Sequence, residues 1–248
     1  MSLNSNIAFR WLWCELAPID ISVENELDNL LCIDRQKILA VKNIQSFVNN
    51  GPFLNMLLWG EKGCGKSSLI KSIVKKFEKS GLKIIEFLDE EIISIFKLYE
   101  IIRQNYHFKF IVYFDDISFD DDDALFRRFK SVIEGSLEEP PSNVMFVATS
   151  NRRHLIAERA YESSDIYSRD DLNEKSSLFA RFGLTIGFYP LKKSEYLEIV
   201  KLYFDKYGVP SDNEFEQEAE NFAIERGGRS GRIAKQFAIY KMISSQEV

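Results

Sequence analysis

The chain has 248 residues, enough for one or two domains, and its 45% hydrophobic content supports a full core. Acidic residues outnumber basic ones by 38 to 32, for a net charge of −6. This excludes the strongly basic balance of a dedicated nucleic-acid binder and leaves only a local basic stripe for such a role. Cys14, Cys32 and Cys64 are odd in number and widely spaced, and His107 and His154 are the only histidines. That set is neither a disulfide framework nor a zinc site, and it suits a reducing cytoplasm. Met1 to Arg10 lacks the basic start and apolar stretch of a signal peptide. No apolar run approaches the roughly 20 residues that span a bilayer, so no membrane role is expected.

In chain order, Phe9, Trp11, Leu12 and Trp13 form an aromatic cluster that caps the core or docks on another chain, with core packing favoured. Asp34 is placed to cap a helix running to about Asn49, which Gly51-Pro52 ends. Strand-like runs follow at Leu54 to Trp59, Leu82 to Leu88, Phe110 to Phe114, Asn143 to Thr149 and Leu184 to Phe188. Each is short and apolar without polar alternation, as strands buried on both faces are. Helical stretches at Ser67 to Lys79, Glu90 to Asn105 and Ala124 to Leu137 separate them. Such alternation predicts an α/β fold with a parallel five-stranded sheet flanked by helices. After Pro190 the stretches Lys192 to Tyr207, Asn213 to Arg226 and Gly231 to Ile243 read as a small all-helical lid. The expected organisation is an N-terminal segment packing on the core (1–50), a nucleotide-binding α/β domain (51–190) and the lid (191–248).

The chemistry concentrates after the first of those five runs. Residues 60–67 read Gly-Glu-Lys-Gly-Cys-Gly-Lys-Ser, fitting G-x-x-x-x-G-K-[ST] between a strand and a helix, the context that a phosphate-binding loop requires. Gly60, Gly63 and Gly65 let the backbone turn and aim N–H groups inward, and the helix start adds its positive dipole end. Lys66 is placed to reach the β- and γ-phosphates, Ser67 to ligate magnesium, and Cys64 and Ser68 complete the cradle. Cys64 reads as a small loop residue, with a redox-sensitive thiol as the alternative. The expected ligand is ATP with Mg2+.

Phe110 to Asp116 reads F-I-V-Y-F-D-D, a buried strand ending in acids. Asp115 would orient the magnesium shell. Asp116 is either the base that activates water or a solvated neighbour of a metal ligand. Asn143 to Asn151 ends in Thr149, Ser150 and Asn151. If that strand lies between the previous two, Asn151 arrives beside the γ-phosphate; otherwise these residues are ordinary strand-end turn chemistry. Asp120 to Asp123 reads as a solvated loop favourable at the helix start near Ala124, with a second metal site as the alternative.

Together these motifs resemble the AAA+ ATPases. The resemblance implies an arginine finger before the fifth strand, matched by Arg181 in Leu-Phe-Ala-Arg-Phe, and a lid sensor, matched by Arg232 with Arg229 as the alternative. The words L-L-W-G-E-K-G-C-G-K-S-S, F-D-D-I-S-F, V-I-E-G-S-L-E, A-T-S-N-R-R-H-L and G-G-R-S-G-R-I-A-K-Q-F are closest to those of an uncharacterised bacterial AAA+ family known as a domain of unknown function. The resemblance covers roughly residues 55–237. It also carries Asp-Asp where most AAA+ enzymes have Asp-Glu. Asp116 is about 1.5 Å shorter than Glu, one C–C bond, and a misplacement of ~1 Å can cost about 100-fold in rate.

The implied function is a slow ATPase coupled to remodelling or regulating a protein partner, acting as a homo-oligomer through Arg181. Arg152, Arg153 and His154 are placed to contact phosphate, a neighbouring subunit or nucleic acid, or to pair on the surface with Glu158 or Glu162; the edge of the next protomer is favoured. The alternatives are a nucleotide-gated switch with negligible turnover and a DNA-associated loader or initiator, which the acidic balance disfavours. A small-molecule kinase would not need the lid.

Overall fold

In the computed structural model, described over residues 3–24, 26–117, 128–129, 131–133, 138–151, 182–211 and 214–245, a twisted sheet carries helices on both faces. Its strands are β1 (Ala8–Leu12), β2 (Glu15–Pro18), β3 (Met56–Gly60), β4 (Leu82–Phe87), β5 (Lys109–Phe114), β6 (Val144–Ser150) and β7 (Leu184–Phe188), in the spatial order β2-β1-β4-β5-β6-β3-β7. Every pairing is parallel except the β1–β2 hairpin.

The sheet therefore has seven strands, and the expected five are the β4-β5-β6-β3-β7 part of it. The N-terminal residues extend it: β1 lies parallel to β4, with Trp11 opposite Phe87, and β2 folds back on β1. Pattern reading missed this hairpin because its turn residues, Trp13 (φ 49°) and Cys14 (φ 64°), are left-handed without being the Gly or Asn that normally mark such a turn. The aromatic cluster divides accordingly. Phe9 and Trp11 are fully buried, and the Trp11 indole N–H donates to Ser94 Oγ at 2.6 Å. Trp13, at the hairpin tip, is 85% exposed.

Period-2 alternation distributes the core between the two faces. Phe110, Val112 and Phe114 face a cluster completed by α3 (Ile95–Gln104). Ile111 and Tyr113 face the opposite cluster, built with α1 (Asp34–Val48) and α2 (Lys66–Lys76). Boundaries differ from expectation for local reasons. Asp34 is the first helical residue and Ile33 the N-cap, so the acid acts on the helix dipole and pairs with Lys37 at 2.8 Å instead of capping. α1 ends when Asn50 turns left-handed (φ 60°) and Gly51 N–H reaches back to Ser46 O at 2.8 Å. The helix expected from Glu90 starts as a 3-10 turn over Asp89–Ser94. Of the helix expected over 124–137, the described residues 128–129 and 131–133 are helical.

Beyond β7 come α4 (Lys193–Tyr207), α5 (Phe215–Glu225) and α6 (Gly231–Ser244). Tyr196, Phe204, Phe222 and Phe237 anchor a hydrophobic cluster of their own, and the buried Tyr196 hydroxyl donates to Ala219 O at 3.1 Å. Among the described residues, no helix is long and apolar enough to cross a membrane.

Candidate functional site

β6 lies between β5 and β3, so the ends of the three chemistry-bearing strands meet at one edge of the sheet. The loop from Gly60 to Gly65 leaves β3 there. Gly60 has φ 138°, and a Cβ at that position would stand 1.9 Å from Phe188 O, so β7 admits only glycine. Gly65 is the left-handed N-cap of α2 (φ 94°), which leaves the first N–H groups of that helix directed at the loop.

Lys66 is 7% exposed, and its Nζ donates to Gly60 O (2.6 Å), Glu61 O (2.9 Å) and Asn151 Oδ1 (3.1 Å). Burial holds its pKa below the usual lysine range, offset in part by Cys64, Asp116 and Asp115. Cys64 is itself buried, which pushes its thiol pKa up and works against a reactive thiolate.

Asp115 Oδ1 accepts three hydroxyls: Thr149 Oγ1 at 2.6 Å, Tyr113 OH at 2.8 Å and Ser67 Oγ at 3.1 Å. Next to it, Asp116 adopts φ 54°, ending the strand direction. Its N–H donates to Thr149 Oγ1 at 2.8 Å, its carboxylate accepts the Asn151 amide, and Lys62 Nζ lies 3.8 Å from its other oxygen. Asn151 thereby bridges Lys66 and Asp116.

The lid closes the other side. Ser230 caps α6, accepting from Ile233 N–H at 3.2 Å, and Gly231 N–H donates to Gly63 O at 3.1 Å. Gly63 (φ 79°) has no room for a side chain, since a Cβ would sit 2.9 Å from Ser230 Oγ and 3.1 Å from Arg232 Cβ. Between loop and lid lies a cavity of about 470 Å³, within the range of small-molecule sites. Gly63 to Ser68, Asp115, Asp116, Thr149, Asn151 and Arg232 line it. Arg229 does not; it makes a bidentate pair with Glu220 inside the lid, Nε to Oε1 at 2.9 Å and Nη2 to Oε2 at 2.6 Å. Arg181, Arg152, Arg153, His154 and Asp120 to Asp123 lie outside the described residues.

Three features of the site escaped the sequence reading. The apolar lining of the cavity includes Leu30, Ile33, Leu191, Ile199 and Tyr203, which come from two distant segments with no shared motif. Glu24 crosses to the lid, pairing with Lys235 Nζ at 2.6 Å while its carbonyl accepts Lys206 Nζ at 2.7 Å. Tyr113 carried a usable signal: it is the one hydroxyl in an apolar strand, two residues before Asp115 and so on its side of the chain.

The parallel sheet, the phosphate loop and the helical region after β7 define an AAA+ fold. Solved structures agree. The Thermotoga maritima RuvB Holliday junction branch migration motor superposes with a TM-score of 0.57 at 15% identity, covering 86% of this chain and 63% of that one. The FIGL-1 AAA domain in complex with ADP gives 0.59 at 14% identity, covering 91% and 75%. The chain thus spans 63% of the length of the RuvB chain. A search of curated proteins gives no significant match. The chain belongs to the family described as "Protein of unknown function (DUF815)", whose model matches residues 4–245.

Proposed function

We propose that this protein binds ATP with magnesium in the cleft between loop and lid, hydrolyses it slowly, and couples that cycle to remodelling or regulating a partner protein. The observation that carries the reading is the convergence of Lys66, Ser67, Asp115, Asp116, Asn151 and Arg232 on one cavity. The similarly folded FIGL-1 AAA domain was solved in complex with ADP, which is consistent with it. The donor set fits magnesium. Ser67 Oγ and Asp115 are hard oxygen donors 3.1 Å apart, and Asp115 Oδ2 accepts no hydrogen bond among the described residues. Ser67 and Asp115 would hold the magnesium, which would supply positive charge to offset the negative charge that develops on the phosphates.

The protein's own residues supply the rest. Loop N–H groups and the α2 start cradle the phosphates, and Lys66 exchanges its carbonyl partners for them. Asn151 orients the attacking water, Asp116 takes its proton, and Arg232 senses the γ-phosphate from the lid. The apolar lining of the cavity receives the base. Arg181 acts on a neighbouring subunit, making the active form a homo-oligomer.

Steady-state hydrolysis tests the reading. Asp116→Asn keeps ATP affinity and lowers turnover by about 10²- to 10⁴-fold, the usual contribution of a general base. Asp116→Glu, which restores the longer arm, holds or raises turnover. Equal hydrolysis by parent and Asp116→Asn would show that Asp116 is not the base. Negligible turnover by the parent despite ATP binding would make the protein a nucleotide-gated switch.

A further inference from the structure

The mechanism above leaves a buried hydroxyl at its centre without a task. Tyr113 is 5% exposed within β5, whose neighbouring positions Ile111, Val112 and Phe114 are apolar and fully buried. A phenylalanine would fill the same space. Burying the extra hydroxyl is unfavourable unless it finds a partner; it donates to Asp115 Oδ1 at 2.8 Å, with the Ser67 and Thr149 hydroxyls also in hydrogen-bonding reach.

That oxygen is crowded in an ordered way. Thr149 Oγ1 accepts the Asp116 N–H at 2.8 Å, so its single hydrogen is free to go to Asp115 Oδ1, 2.6 Å away. Ser67 Oγ adds a third donor at 3.1 Å. Donors from β5, β6 and α2 therefore converge on one oxygen. A carboxylate offers about two acceptor sites on each oxygen, so Oδ1 is saturated. Oδ2 accepts no hydrogen bond among the described residues, and all remaining acceptor capacity of the group lies there.

We propose that Tyr113 is a positioning residue for the cation: with Thr149 it fixes the Asp115 carboxylate through Oδ1 and reserves Oδ2 for the magnesium shell. The Tyr113 hydroxyl then sets how much magnesium the nucleotide site needs. Without it, the carboxylate rotates more freely and must be ordered by the cation. The proposal rests on the cleft being a magnesium–nucleotide site. It predicts a change in metal dependence, where a packing role would change only stability.

The test is equilibrium binding of a fluorescent ATP analogue to the full chain, titrated with free Mg2+, for the parent and Tyr113→Phe. Tyr113→Phe should bind the analogue as the parent does without magnesium and need about tenfold more Mg2+ for half-saturation, the low end of what losing such a supporting partner costs a metal site. Thr149→Val should shift the midpoint the same way, and Thr149→Ser, which keeps the hydroxyl, should not. The electron paramagnetic resonance spectrum of Mn2+ bound with ADP should broaden in Tyr113→Phe as the ligand set loosens. If parent and Tyr113→Phe share one Mg2+ midpoint while the parent is magnesium-dependent, the role of Tyr113 is wrong and the nucleotide reading stands. If the parent binds no analogue, both fail; if it binds it equally with and without magnesium, the metal role fails and the role of Tyr113 with it, while the nucleotide site stands.

Discussion

Gly63 is where the loop after β3 meets the lid, its carbonyl accepting the Gly231 N–H at 3.1 Å. Its φ of 79° is unfavourable for any side chain, and the space a Cβ needs is held by Ser230 and Arg232. Gly63→Ala therefore strains the loop and pushes the start of α6 away from it. We expect a loss of about 1–3 kcal/mol in stability, the range for forcing extra atoms into a packed site, measured by denaturant unfolding. Weakened ATP binding should accompany it. An unchanged unfolding midpoint would mean that the lid does not rest on the loop. This position also marks a limit of sequence reading. G-x-x-x-x-G-K-[ST] fixes Gly60 and Gly65 and leaves position 63 free, and the structure gives Gly63 a reason to be glycine that only the distant segment 230–232 explains. Asp115 was legible because an acid ending an apolar strand stands out. Of the support for its carboxylate, Tyr113 is readable two residues earlier in the same strand, whereas Thr149 depends on strand order, which no local pattern encodes.

At the scale of elements, the hydrophobic cluster of the lid is joined by a bidentate ion pair. Glu220 on α5 is 8% exposed and accepts both arms of Arg229, whose segment leads into α6. The Arg229 hydrogen bonds hold the Glu220 carboxyl below the usual carboxylate range. A depressed carboxylate contributes stability above its unfolded pKa of about 4.3 and loses it as pH falls through the lower folded value. Glu220→Gln should therefore destabilise the protein at neutral pH, on the order of 1–3 kcal/mol for a hydrogen-bonded charge. The difference should shrink as pH falls below the ordinary carboxylate range. Thermal unfolding of parent and variant across pH checks this, and a gap that persists unchanged in acid would contradict it. The elements themselves were mostly readable. β7 matches its expected span residue for residue, and α4 starts one residue late, at Lys193. The β1–β2 hairpin was not readable, because its turn rests on Trp13 and Cys14 and β2 is held by pairing with β1.

For the whole molecule, the net charge of −6 runs against a dedicated nucleic-acid binder, and the proposed function has the protein assemble with itself and act on a protein partner. If Arg181 serves the site of a neighbour, Arg181→Ala and Lys66→Ala should each be inactive alone and recover activity when mixed. Fingers of this kind contribute about 10³- to 10⁵-fold in some NTPases, so even partial recovery stands far above background. Activity strictly linear in enzyme concentration, with no recovery on mixing, would place all catalytic groups within one chain.

The central claim is that the loop around Lys66 is a nucleotide site. Isothermal titration calorimetry with ATP and Mg2+ tests it most directly. The parent should bind one ATP per chain, and Lys66→Ala, which removes the cation now held by Gly60, Glu61 and Asn151, should show no binding while remaining folded. Equal affinity in parent and Lys66→Ala, or no heat from the parent, would contradict the account.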